Sequence, residues 1–331
     1  MASPFPYSAI IAKCRAMSAK LLRYDDYAAL CSSSGLSEAA AYLSQHGLYS
    51  DELSGVSLSY INRSSLEELF AHGFDRICGE LLTFAGGDLK RVIGVITKKR
   101  EVARLIDRAF ICASGNTAEG VKAESTEDFL NSVRGTVYSD IAARCVRDGK
   151  LDCTRLESAL YSHYFESLSE AASGAGDKDV ADMIDTLIDY RSIDVILRAR
   201  KNFGMSAEAI YPFLPPNTAD CKKGGKRFTR AELMSFCSLS EEELRKKLEK
   251  RFGSDFSEKN YLDANYRNMF LYKYYRKAFA SMKPSFGVPF AFIGLCETEL
   301  TNLVHIIEGL RYKLPPERIL ECVSAMQEVR T

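Results

Sequence analysis

The chain has 331 residues, of which 46% are apolar and 27% charged, with 44 basic and 44 acidic side chains. A zero net charge leaves no global field to draw nucleic acid or an anionic membrane, so any such partner must be met by a local patch. The length predicts about two domains by size alone, with ample surface to bury in a core.

The opening MASPFPYSAIIAKCRAM lacks a basic start and a small-residue cleavage site, so no signal peptide is expected. It runs into an amphipathic stripe, Ile10, Cys14, Met17 and Leu21, at steps of four, three and four, which predicts a helix. Ser37-Glu38 and Ser240-Glu241 read as N-caps with an acidic first turn. Arg147 to Lys150 is flanked by helical patterns and reads as a helix–helix connection, not a hairpin. Residues 176–203 and 254–282 are long helical stretches. Gly204 can close a helix, whereas Gly309 sits within a helical pattern at modest cost. The longest charge-free run, 284–296, has 13 residues and is shorter than the roughly 20 a membrane-spanning helix needs. Pro315-Pro316 places proline at the start of a last helix. Sustained period-two alternation is scarce, and the fold class is all-α.

The ten cysteines form no CxxC pair and sit mostly inside apolar periodic segments. They read as reduced, buried, small hydrophobes. No phosphate-binding loop, HExxH or nucleophile motif occurs. The four histidines offer only reversed HxxE spacing at His163/Glu166 and His305/Glu308, which does not meet the ligand count of a di-iron bundle. Nothing asks for a catalytic residue, a metal or a cofactor. The basic, Gly-containing stretch Lys222 to Arg227 reads as a connector in preference to a phosphate or lipid-headgroup site.

One helical pattern is written three times. DLKRVIGVITKKR starts at Asp88, DYRSIDVILRARK at Asp189 and ELTNLVHIIEGLR at Glu299. Each begins with an acid and carries a polar residue at +3 (Arg91, Ser192, Asn302). Apolar residues follow at +4, +7 and +8, and a base at +12 (Arg100, Lys201, Arg311). Upstream of each, an acid (Glu38, Glu127, Glu241) opens a short helical pattern that reaches an aromatic at +11 (Tyr49, Tyr138, Phe252). The repeat divides the chain into 1–115, 116–215 and 216–331.

Two readings of the repeated acid stand side by side. It lies at the edge of the apolar stripe near the helix start, where it meets the positive end of the helix dipole, as the base meets the negative end. Alternatively, the acid and the +3 residue hydrogen-bond a neighbouring helix and fix how similar units join. On the middle copy, Arg191, Asp194 and Arg198 share one arc of an otherwise apolar helix. That arc either lines a cavity or interface, or is a solvated face.

The segment AKCRAMSAKLLRYDDYAAL, with Arg15, Ala16, Met17, Leu21, Leu22 and Tyr27, resembles the N-terminal helix of the C subunit of bacterial and archaeal V-type (A-type) ATPases. That protein is the relative of the eukaryotic d subunit. EDFLNSVRGTVY at 127–138 resembles an element of the same family, as do the helices at 189–201 and 299–311. The third copy carries the family's amide at +3, Asn302; the others depart from it with Arg91 and Ser192. The resemblance implies a non-catalytic funnel of three similar helical bundles with approximate threefold pseudosymmetry. Such a protein sits peripherally, with no covalent anchor, on the cytoplasmic face of the membrane. There it joins the proteolipid ring to the D and F shaft subunits and passes torque between them, with no cofactor, metal or nucleic acid. Under that resemblance Asp88, Arg91, Asp189, Ser192, Arg198, Glu299, Asn302 and Arg311 are repeat-motif and interface candidates. A free helical-repeat interaction scaffold is the alternative.

Overall fold

The computed structural model describes residues 7–114, 124–215, 227–253, 264–281 and 285–325. It contains two compact units, one of residues 1–93 and 252–331 and the other of residues 94–251. In the first lie α1 (Ser8–Ser18), α2 (Tyr24–Cys31), α3 (Leu36–Gln45), α4 (Ser50–Leu53) and α5 (Arg63–Phe84). Helix α6 (Gly87–Ser114) begins there and continues into the second unit. The second unit continues with α7 (Thr126–Ser132), α8 (Ser139–Arg144), the two-residue strands β1 (Val146–Arg147) and β2 (Lys150–Leu151), α9 (Cys153–Ala175), α10 (Lys178–Phe203), α11 (Ala207–Ile210), α12 (Arg230–Phe236) and α13 (Glu241–Phe252). The chain then returns to the first unit with α14 (Ala264–Ser281), α15 (Gly287–Arg311) and α16 (Pro316–Leu320). The fold is all-α apart from one short hairpin among the described residues.

That hairpin corrects the expected helix–helix connection at 147–150. Val146 pairs with Leu151 and Arg147 with Lys150, antiparallel. The two loop residues, Asp148 (φ 49°) and Gly149 (φ 74°), are both left-handed. This is the backbone that a two-residue turn matched to strand twist requires, and Asp-Gly supplies it at low steric cost. Two-residue strands are too short to write an alternating pattern.

Other boundaries follow from capping chemistry. Helix α13 starts at Glu241, where the Ser240 hydroxyl and the Glu243 carboxylate each take the other residue's backbone N–H, at 3.4 and 3.1 Å. Helix α3 starts earlier than expected. Gly35 is the cap, and Glu38 accepts the Ser34 N–H at 2.7 Å, so Ser37 lies inside the first turn. The expected run 176–203 starts with a break. Left-handed Gly176 ends α9, and the Asp177 side chain accepts the N–H groups of Asp179 and Val180 to open α10. Gly204 closes α10 in the left-handed conformation, as expected (φ 56°). Pro316 opens α16.

The aromatics at +11 behave differently in the three copies. Phe252 ends α13, but Tyr49 and Tyr138 lie beyond α3 and α7, as the residues just before α4 and α8. Both tyrosines are buried.

The first unit is built around α15, which packs on α14, α5 and α1. Val288, Phe290, Phe292, Ile293, Cys296, Leu303, Ile306 and Ile307 are all buried along it, and a helix apolar all round belongs at the centre of a core. By length and composition α15 is also apolar enough to cross a membrane, and 67% of its most apolar window is buried inside the protein. Close approaches need glycine. A Cβ at Gly294 would lie 2.5 Å from the Tyr275 ring, and one at Gly309 2.6 Å from Ile319. Gly309 is therefore a packing requirement and not merely a tolerated cost. The cysteines at 14, 31, 78, 145, 153 and 296 are buried free thiols, and those at 112, 237 and 322 are partly buried. Cys221 and the basic stretch 222–226 lie outside the described residues.

Candidate functional site

The three repeated acids occupy different environments. Asp88 is in the first turn of α6, its side chain 40% exposed and ion-paired with Arg91 at +3. There the dipole reading holds, since a carboxylate in the first turn faces the unpaired N–H groups of the helix start. It does not hold for the other two. Asp189 lies in the middle of α10 and Glu299 in the middle of α15, and both are buried. Their helices start well upstream of the repeated pattern, at Lys178 and Gly287, so neither acid is near a positive helix end. A mid-helix buried carboxylate must find its partners in other elements.

Asp189 finds them in the second unit. Its Oδ2 accepts the Arg251 Nε–H at 2.7 Å, and its carboxylate accepts the Phe228 backbone N–H at 3.2 Å. The buried Arg227 guanidinium stands 3.9 Å away. Burial pushes the carboxyl up to about 6 despite the opposing pull of Arg251, Arg227 and the Phe228 N–H. Ser192, at +3, is buried and donates to its own helix, to the Ile188 carbonyl at 2.8 Å.

Glu299 has no cationic partner among the described residues. One oxygen accepts the Leu22 N–H at 2.6 Å, while the other is buried without a hydrogen-bond partner. Burial pushes this carboxyl up to about 8, and nearby Asp26 adds to the shift. Glu299 is therefore protonated at neutral pH. A neutral acid is the form a site without a countercharge tolerates. One turn on, Asn302 clamps Ser324 from both sides: Nδ2–H donates to its carbonyl at 3.0 Å, and Oδ1 accepts its N–H at 2.8 Å.

Asp189 and Glu299 hold the same kind of group. Phe228 and Leu22 are each the residue just before the cap of a short helix, Thr229 before α12 and Arg23 before α2. In both short helices an acid two residues beyond the first helical position folds back on the cap N–H: Glu232 to Thr229 at 2.8 Å, and Asp26 to Arg23 at 2.7 Å. A repeated acid on a long helix thus pins the entry of a short, self-capped helix, once in each unit. Helix α7 carries the same cap, with Ser125 and Asp128.

The arc on the middle copy packs on a helix. Arg191 and Arg198 share the Glu157 carboxylate of α9; Asp194 is 3.1 Å from Arg198 and 3.5 Å from Arg191. The Arg191 guanidinium lies 4.1 Å over the Tyr161 ring of α9. The arc is a charged seam between α9 and α10, with Arg198 at its exposed edge (43%). Arg311 ends α15 exposed, 3.7 Å from Glu308. The side chain of Lys201 lies outside the described residues.

Sequence patterns do not mark the partners of these residues: Leu22 for Glu299, Phe228 and Arg251 for Asp189, Glu157 for Arg191 and Arg198, and Ser324 for Asn302. The one local signal is Thr229-x-x-Glu232 ahead of an apolar residue, which marks a capping box. Backbone N–H groups carry no residue signature, and Leu22 is 277 positions from Glu299.

A sequence profile of the family described as "ATP synthase (C/AC39) subunit" matches residues 10–322. The chain is 29% identical over 229 residues to the C subunit of the A-type ATP synthase of Desulfurococcus sp. (strain SY), covering 64% of this chain and 62% of that protein. It is 29% identical over 252 residues to the protein of the same name from Pyrococcus horikoshii, covering 70% and 64%. The corresponding protein of Thermococcus gammatolerans is 27% identical over 228 residues, covering 64% and 61%. Each match spans a little under two thirds of the relative's own length.

Proposed function

Because the chain belongs to the ATP synthase (C/AC39) subunit family, we propose that it is the central-stalk coupling subunit of a rotary V/A-type ATPase. In this reading it links the D and F shaft subunits to the membrane proteolipid ring and transmits torque between them. It is non-catalytic and sits peripherally on the cytoplasmic face of the membrane. The family match across 10–322 carries the reading; the names of the archaeal relatives agree with it.

The chain is proposed to be three homologous helical repeats, 1–115, 116–215 and 216–331, arranged with approximate threefold pseudosymmetry as a funnel. The equivalent bonds Asp189 to Phe228 and Glu299 to Leu22 support this division. Each joins a long helix of one repeat to the start of a short, self-capped helix of another: second to third, and third to first. Buried acids with fixed partners and glycine-tight helix contacts make a body that resists shear, because a close-packed interior is hard to deform. Torque transfer needs that property. Asp88, Arg91, Arg198 and Arg311 have exposed side chains and are the interface candidates among the motif residues. Asp189 and Glu299 are buried and join one repeat to the next, while Ser192 and Asn302 are buried and bond within their own repeats.

The test is removal of this chain from the assembled ATPase. ATP hydrolysis by the catalytic head should persist, while ATP-driven ion transport should be lost and D, F and the ring should cease to co-purify as one assembly. Normal pumping without the chain would sink the proposal. Recovery as a free protein that binds no component of the ATPase would favour the scaffold alternative.

A further inference from the structure

In the first unit, a cavity of about 260 Å³ opens between the α1–α2 turn, α14 and α15. Its lining includes Arg23, Tyr24, Tyr27, Tyr272, Arg276 and Glu299. In this unit Arg63 is matched to Glu67 and Glu308, and Arg76 to Glu52 and Glu80. Arg23 and Arg276 are not. Among the described residues no carboxylate pairs with either side chain, and Arg276 instead donates to the Tyr272 hydroxyl at 3.1 Å. Glu299 lines the same cavity with one buried oxygen that has no hydrogen-bond partner.

Charge decides what such a cavity takes. Three tyrosines and a glutamate would suit an organic cation if the glutamate were ionised and nothing else were charged. Here Glu299 is protonated at neutral pH, and two guanidiniums repel a cation. The lining is then two positive charges, phenol hydroxyls and a carboxylic acid proton, which are all donors suited to an oxyanion. The volume falls below the roughly 300 Å³ at which drug-sized pockets begin, so the ligand is small.

We propose that this cavity is a phosphate-binding site, in which Arg23 and Arg276 hold the phosphate oxygens and Tyr272 orients Arg276. The phosphate comes either from a free phosphate or from the headgroup of a phosphomonoester lipid. The proposal rests on the cavity alone and stands apart from the coupling role.

Two measurements on the full chain test it. Inorganic phosphate is titrated calorimetrically into the wild type and into Arg23→Gln, Arg276→Gln and Tyr272→Phe. Flotation is then measured with phosphatidylcholine vesicles with and without phosphatidic acid. Saturable one-to-one phosphate binding is expected, weakened roughly 10- to 100-fold in each arginine variant by loss of a charge-assisted bond, and less in Tyr272→Phe. Circular dichroism establishes that the variants fold, which the exposure of both arginines favours. Flotation that needs phosphatidic acid and is competed by free phosphate assigns the lipid source; phosphate binding without flotation assigns the free anion. Absence of both, or binding undiminished in both arginine variants, overturns the site.

Discussion

Replacing Glu299 by Gln isolates the energetics of a buried, protonated acid. In the folded protein the carboxyl titrates near 8 rather than 4.5, because burial outweighs the one N–H it accepts from Leu22. Between those values the native state holds a proton that the unfolded chain has lost. Stability is therefore unaffected by this group below about 4.5 and falls progressively as pH rises from there to about 8, because the buried carboxyl resists ionisation. Across the whole window the loss is roughly 5 kcal/mol, or about 1.4 kcal/mol per pH step. Glutamine keeps the acceptor for Leu22 and removes the titration. Urea denaturation of both proteins at pH 5, 6, 7 and 8 should then give similar stabilities at pH 5. As pH rises the variant should become the more stable by up to a few kcal/mol. The titration of Asp189 is common to both proteins and cancels in the difference. Parallel stability curves from pH 5 to 8 would refute the assignment of a neutral Glu299.

Asp189→Ala should destabilise by about 3 kcal/mol, since it removes the carboxylate that accepts from the Arg251 guanidinium and the Phe228 N–H in a buried site. Asp88→Ala, which breaks an exposed pair, should cost under about 1 kcal/mol; equal losses in chemical denaturation would contradict the division of the acids into buried and exposed. Gly294→Ala and Gly309→Ala should lower the melting temperature, because overpacking costs about 1–3 kcal/mol against a helix-propensity gain of about 1. Gly79→Ala, where a Cβ meets nothing within 4 Å, should raise it, and a rise in all three would discredit the tight contacts. Asn302→Ala removes both bonds to Ser324. Hydrogen exchange should show the Ser324 amide losing protection while the Leu22 amide, held by Glu299, keeps it.

The elements legible in the sequence are those written in a local code. Ile10, Cys14 and Met17 form a buried stripe, Ser240 caps, Gly204 closes and Pro316 opens, each by chemistry contained within a few residues. The repeated acids are visible as a pattern, but their position within a helix is not. That position depends on where α10 and α15 begin, and those starts are set by Asp177 and by the apolar run after Phe286, outside the repeat. The charged arc on α10 is legible as an arc; that it packs on Glu157 and Tyr161 of α9 depends on tertiary packing. The hairpin at 146–151 escapes a sequence reading because only its turn, Asp148-Gly149, carries a signal.

Helix α15 receives Leu22 through Glu299 and Ser324 through Asn302. Leu22 leaves the ribosome 277 residues ahead of Glu299. At elongation rates of about 5–20 residues per second, that gap lasts roughly a quarter of a minute to a minute. During it Ile10, Cys14 and Met17 have no α15 to pack against. The nascent chain must travel with this apolar stripe waiting for its central helix, and the first unit can close only after α15 has been made.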